Sequence, residues 1–350
     1  MFDGMSDAAL MALAGLFGGA LLGLAARLGR FCTLGAIEDV LYQQSALRLR
    51  MWVLAIGIAI TGVHLLAGMG AIDLAETLYL SSPWSPVASI LGGLLFGYGM
   101  SIAGYCGFGA LARTGGGDFR AFVIVLVMGI SAYVMLSGPL ASARVALIQT
   151  TEVDLGTLSI AGVIGQIAGG GPVGPGLIAG LAITAAALAS RDALSRPAPL
   201  LWGVIVGLAI VSGWWGTSAI VHSHLSALPV VSHTYSAPLG ESLLYVMTSS
   251  GGGLSFGVGS VAGVLGGAFA GSLIKGHFRW EACEDPRELR RQVAGAVLMG
   301  FGSVLAFGCT IGQGLSAFSV LAFSAPVTFA AIFIGAAIGL RQLITGFAIS

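Results

Sequence analysis

The sequence predicts an all-α, polytopic integral membrane protein, and three observations carry that prediction. Of its 350 residues, 56% are hydrophobic and 9% charged, with a mean hydropathy of +0.95, whereas soluble domains carry about 25% charged residues. Apolar windows of the length that spans a bilayer, about 20 residues, recur near 8–28, 51–70, 87–104, 119–138, 175–190, 198–220, 255–274, 292–307 and 326–345. This pattern predicts about nine transmembrane helices. The 56 glycines suit close helix approach and broken helices better than a soluble core. Zero net formal charge gives no basic surface for nucleic acid, so lipid is the bulk partner.

Each element follows from local composition. The opening Met1–Asp7 is acidic where a cleaved leader is basic, so the first window is expected to be retained as a span. Pieces near 33–47, 108–114, 241–250 and 311–323 are too short to cross and are expected as half-helices or re-entrant segments. Arg48 and Arg50, Arg191 and Arg196, and Lys275, Arg279, Arg287, Arg290 and Arg291 mark three loops expected on the cytoplasmic side. The segments near 71–86 (Asp73, Glu76), 140–157 (Arg144, Glu152, Asp154) and 221–240 (His222, His224, His233) are expected as loops outside. Residues 1–350 read as one membrane domain with approximate repeats 8–190 and 198–345, of inverted orientation.

The repeat reading comes from three segments where an apolar helix breaks off at a cysteine among glycines: Gly29–Gly35 around Cys32, Gly104–Gly109 around Cys106 and Phe307–Gly312 around Cys309. Superposing Cys106 on Cys309 also places Gly97 on Gly300, Gly99 on Gly302 and Gly109 on Gly312; superposing Cys32 on Cys106 places Gly23 on Gly97 and Gly35 on Gly109. Lipid cannot satisfy backbone groups freed by such breaks, so they must be buried in protein or line a wet path.

These breaks offer a small anion unpaired N–H groups and the positive end of a helix dipole. Gly35, Gly107, Gly109, Gly308 and Gly312 allow the backbone to approach the solute. Thr33, Thr310 and Gln313 are candidate donors, and Arg113 is a candidate anion-attracting residue at the outer vestibule. A neutral thiol adds a weak, polarizable donor suited to a soft, sulfur-bearing anion. The four cysteines contain no Cys-x-x-Cys, which indicates neither a thioredoxin-type pair nor a local zinc site, and no cofactor is called for. Cys283, in a charged loop, reads as incidental. Glu38 and Asp39 read as caps or partners of Arg30, the three histidines as a solvated loop, and Trp202, Trp214 and Trp215 as anchors or packing.

Gly308–Ser316, Arg30–Ile37 and the Cys106…Arg113-Thr114-Gly115-Gly116-Gly117 stretch together resemble the YeeE/YedE membrane proteins, over nearly the whole chain. The resemblance implies non-enzymatic uptake of thiosulfate or a similar sulfur-containing anion through the bacterial inner membrane, in an hourglass-like fold of two pseudo-symmetric halves. It implies relay of the ion along Cys32, Cys106 and Cys309 by S–H contacts without a covalent bond, and a cytoplasmic sulfur-carrier partner. The expected order is Cys106 towards the outside, Cys309 deeper and Cys32 towards the cytoplasm. Tyr105-Cys106-Gly107 departs from the glycine-cysteine-proline common in that family. Two alternatives stay open: an intramembrane thiol-disulfide oxidoreductase, which needs two cysteines with Cα atoms about 4.4–6.8 Å apart, and a permease for a selenium compound or metal ion.

Overall fold

The computed structural model describes residues 6–190, 195–224, 226–250, 253–282 and 285–346. Among the described residues there is no β-strand, only isolated bridges such as Thr77–Val230 and Asp118–Glu281. Seven helical segments are long and apolar enough to cross a membrane. The long helices are α1 (Asp7–Leu28), α3 (Leu47–Gly68), α5 (Pro86–Ala103), α7 (Phe119–Leu136), α11 (Pro197–His224), α13 (Phe256–Ile274), α14 (Pro286–Leu305) and α15 (Ser324–Thr345). Helix α10 (Val173–Leu188) is apolar but shorter, and α14 opens with a charged first turn, Arg287, Glu288, Arg290 and Arg291. Every window predicted to span is helical.

Between them lie the short helices α2 (Thr33–Tyr42), α4 (Leu78–Ser81), α6 (Gly107–Thr114), α8 (Ala141–Thr151), α9 (Ile160–Ile167) and α12 (Ala237–Thr248), and a π-helical turn over Gly312–Ala317. Helix α8 corrects the expected loop at 140–157. It has no buried residue, so no apolar stripe marks it in sequence.

Glycines set the helix spacing. On α1, Gly15, Gly19 and Gly23 press directly on the α13 backbone at Phe256, Ser260 and Val264, while Gly259, Gly263 and Gly267 press back on Ala12, Leu16 and Ala20. A side chain at any of these positions would collide with backbone, so the pair approaches more closely than side chains allow. Helix α5 is held likewise, with Gly92 and Gly99 against α14 and Gly93 and Gly97 against α15.

Helices α1 and α5 run towards the basic loop. Lys275 Nζ donates to the carbonyls of Arg27 and Leu28 at 2.9 and 3.0 Å, and Gly117 abuts Arg279. Burial, with Arg30 and Arg27 nearby, pulls the Lys275 ammonium below its ordinary pKa. Helix α14 runs the other way, its end at Leu305 and Phe307 packing beside Tyr79, Ser82 and Trp84. The break at Cys309 is therefore entered from the opposite face to those at Cys32 and Cys106.

Candidate functional site

All three breaks share one backbone device. The residue two before each cysteine is left-handed: Arg30 (φ +54°), Gly104 (φ +86°) and Phe307 (φ +54°). Two of them are not glycine, a conformation costly for L-residues unless the surroundings impose it. That turn ends one helix and aims the cysteine at the start of the next segment.

Cys32 and Cys106 are N-caps. Cys32 Sγ accepts from Gly35 N at 3.5 Å, at the head of α2, and Cys106 Sγ accepts from Gly109 N at 3.4 Å, at the head of α6. Cys309 finds its N–H elsewhere in the chain. Its Sγ accepts from Tyr235 N at 3.2 Å, with Thr234 Oγ1 at 3.8 Å. In each case sulfur receives an N–H, a bond that does not use the thiol hydrogen. All three are free thiols, Cys106 and Cys309 fully buried and Cys32 partly open.

Cys106 has both Cys32 and Cys309 within electrostatic range and Thr310 beside it. Both residues that follow a cysteine carry a buried hydroxyl: Thr33 Oγ1, after Cys32, has no hydrogen-bond partner, and Thr310 Oγ1, after Cys309, has only the Cys106 thiol in reach.

The expected donor Gln313 is otherwise engaged. Its Nε2 donates to Ala306 O at 2.9 Å and Phe307 O at 3.1 Å, closing the carbonyl end of α14. A side chain at Gly107 would meet Met128 and the Tyr235 carbonyl, one at Gly312 would meet Thr234 Oγ1 and Tyr79 Oη, and one at Gly35 would strike the Arg48 guanidinium. The turn at Gly308 lies against Gln313 and the Tyr79 hydroxyl.

A cavity of about 600 Å³ opens on the basic-loop side, lined by Cys32, Gly35 and Gly109. Arg27, Arg30, Arg48, Arg113 and Lys275 face Glu38, Asp118 and Glu281 across it, which leaves it electropositive. Arg113 therefore does not stand at an outer vestibule. Helix α6 continues α5 across the membrane instead of turning back, which carries Arg113 to the basic-loop side, its guanidinium 4.4 Å from the Tyr105 ring centre.

Other expectations need correction. Asp39 pairs with Arg48, at 3.2 Å, not with Arg30. His233 is no loop histidine: it is wholly buried, with Nδ1 2.7 Å from Ser260 Oγ, because the segment after α11 folds back into the protein. His222 is exposed, 3.5 Å from Glu76. Trp214 is buried in packing, one of the two roles expected for it, and donates to Ser319 Oγ at 2.8 Å. Arg191, Cys283 and the His224 side chain lie outside the described residues. Arg48, Tyr79, Thr234 and Tyr235 join the site through tertiary contacts that no local motif announces.

A family model described as sulphur transport matches residues 28–338. The chain is 26% identical over 328 residues to the thiosulfate transporter TsuA of Escherichia coli (strain K12), covering 87% of each chain. It is 26% identical over 317 residues to the thiosulfate transporter TsuA of Spirochaeta thermophila, covering 89% of this chain and 92% of that one.

Proposed function

The chain belongs to the sulphur-transport (YeeE/YedE) family, and from that premise we propose that it takes up thiosulfate or a similar sulfur-containing anion across the bacterial inner membrane, passing it along Cys309, Cys106 and Cys32 without covalent chemistry. The observation that carries this reading is the shared break, in which each thiol sulfur accepts a backbone N–H, a bond that does not use the thiol's own hydrogen. The names of the two relatives support the substrate class.

Hydrogen bonds to a charged group contribute about 1.5–3 kcal/mol each, so a few S–H, O–H and N–H donors offset much of the desolvation of a small anion. None of those donors is a fixed charge, and release stays possible. The electropositive cavity at Cys32 then receives the ion on the cytoplasmic side, where a sulfur-carrier protein would collect it. The single domain is read as two inverted halves, 8–190 and 198–345; the repeated left-handed turn, entered from opposite faces, supports that reading.

The direct test is labelled thiosulfate uptake by cells expressing the protein. Wild-type uptake above the empty-vector rate is the expected result; equal rates in well-expressing cells would refute the proposal. A sharper expectation concerns the two buried hydroxyls. Thr33→Val removes no hydrogen bond in the resting protein, and Thr310→Val removes only a contact with the Cys106 thiol, so each should leave the melting temperature nearly unchanged. Each should nevertheless lower uptake roughly tenfold, the loss of about 1.4 kcal/mol. Full uptake in both variants would remove the threonines from the path.

A further inference from the structure

On the face opposite the basic loop, a cavity of about 320 Å³ is lined by Tyr79, Trp84, Asp154 and Phe323 among others, and a smaller one beside it is lined by Tyr79, Ser82 and Phe307. Neither has a Lys or Arg in its lining, and the carboxylate in the larger, Asp154, accepts from Gly156 N at 2.9 Å. Tyr79 belongs to both cavities and is itself buried, at 8% exposure. Behind it lies Cys309, at 0% exposure.

The tyrosine is placed by the same segment that serves Cys309. Leu78 N donates to Val230 O at 3.0 Å, pinning the single turn of α4 to residues 230–236. Four and five residues past Val230, Thr234 and Tyr235 contact the Cys309 sulfur. The Tyr79 ring stands edge-on to Phe307 (centroids 5.7 Å, 88°) and to Trp214 (6.3 Å, 74°). Its hydroxyl faces Thr234 and lies against Gly308 and Gly312, the two glycines flanking Cys309.

We propose that Tyr79 is the outer selectivity residue of the transport path: its ring separates the external cavity from Cys309, and its hydroxyl donates a hydrogen bond to the anion once that anion reaches the thiol. The proposal rests on the path through Cys309 read above. A neutral phenol suits the position, because it offers a donor without an ion pair that would hold the solute. The edge-on rings of Phe307 and Trp214 flank it on the way to Cys309. An anion unable to accept from both thiol and phenol gains less on entry, and this difference is the basis of selection.

Two variants separate ring from hydroxyl. Tyr79→Phe keeps the ring, so Cys309 in intact cells should react with a membrane-impermeant methanethiosulfonate as slowly as in wild type, followed by peptide mass spectrometry. Its KM for thiosulfate should rise roughly tenfold, as for one lost hydrogen bond to an ion. Tyr79→Ala removes the ring, and Cys309 should then react at least about ten times faster than in wild type. An unchanged KM in Tyr79→Phe would overturn the donor role, and unchanged Cys309 reactivity in Tyr79→Ala would overturn the barrier. If Tyr79→Ala does not accumulate, Tyr79→Leu takes its place in the labelling. Labelling reads the barrier whether or not thiosulfate is carried, so its outcome is distinct from failure of the transport reading, which shows as no wild-type uptake.

Discussion

Cys309→Ala should reduce thiosulfate uptake by roughly 10- to 100-fold while the protein still reaches the membrane, and Cys106→Ala and Cys32→Ala should do the same. Each substitution removes one S–H donor to a charged solute, about 1.5–3 kcal/mol, and each tenfold corresponds to about 1.4 kcal/mol. For Cys309 the loss has a second part, because Tyr235 N would be left unpaired in a buried site. Cys309→Ser retains an O–H donor and should recover part of the rate. Cys283→Ala should transport as wild type. Labelled uptake normalised to membrane protein decides the matter; near wild-type rates in the three alanine variants would remove thiols from the mechanism.

Gly263→Leu should have the largest effect on stability. A side chain here meets the Leu16 carbonyl and comes within 2.8 Å of Ala20 N, and neither backbone group can yield without moving α1. Overpacking a fitted contact costs about 1–3 kcal/mol, and separation of α1 from α13 loses packing along several turns on both sides. Because α1 ends in the turn that presents Cys32, the site would go with the fold. The expected result is a lower melting temperature in detergent and reduced accumulation, with Gly19→Leu behaving alike. A wild-type melting curve for both would show that close approach is not what holds this pair.

Fold class was legible because membrane residence writes itself into composition and window length, signals that no tertiary contact can override. Loop charge likewise made it legible that α5 and α14 approach their cysteines from opposite faces. What failed were statements that needed distance. Arg113 follows a glycine break, which reads as a turn back, yet α6 keeps the direction of α5. His233 lies in a polar stretch that looks solvated, yet the stretch folds inward to serve Cys309. Gln313 has the chemistry of an anion donor, but its amide is closer to the carbonyls that the break itself exposes. Arg48 shows as loop charge alone, since only the absence of a side chain at Gly35 brings it over the α2 head. Tyr79 and Tyr235 lie some 230 and 74 residues from Cys309, beyond any local pattern.

An anion held by thiols without a covalent bond would leave a direct signature in crystals. Selenosulfate, which replaces the terminal sulfur of thiosulfate with selenium, can be located in crystals of the protein by its anomalous signal. The predicted result is a selenium peak in contact with at least one of the Cys309, Cys106 and Cys32 sulfurs, at non-bonded separation and with the thiol intact by mass spectrometry. A peak remote from all three cysteines, or a selenium–sulfur bond to any of them, would rule out relay by non-covalent thiol contacts.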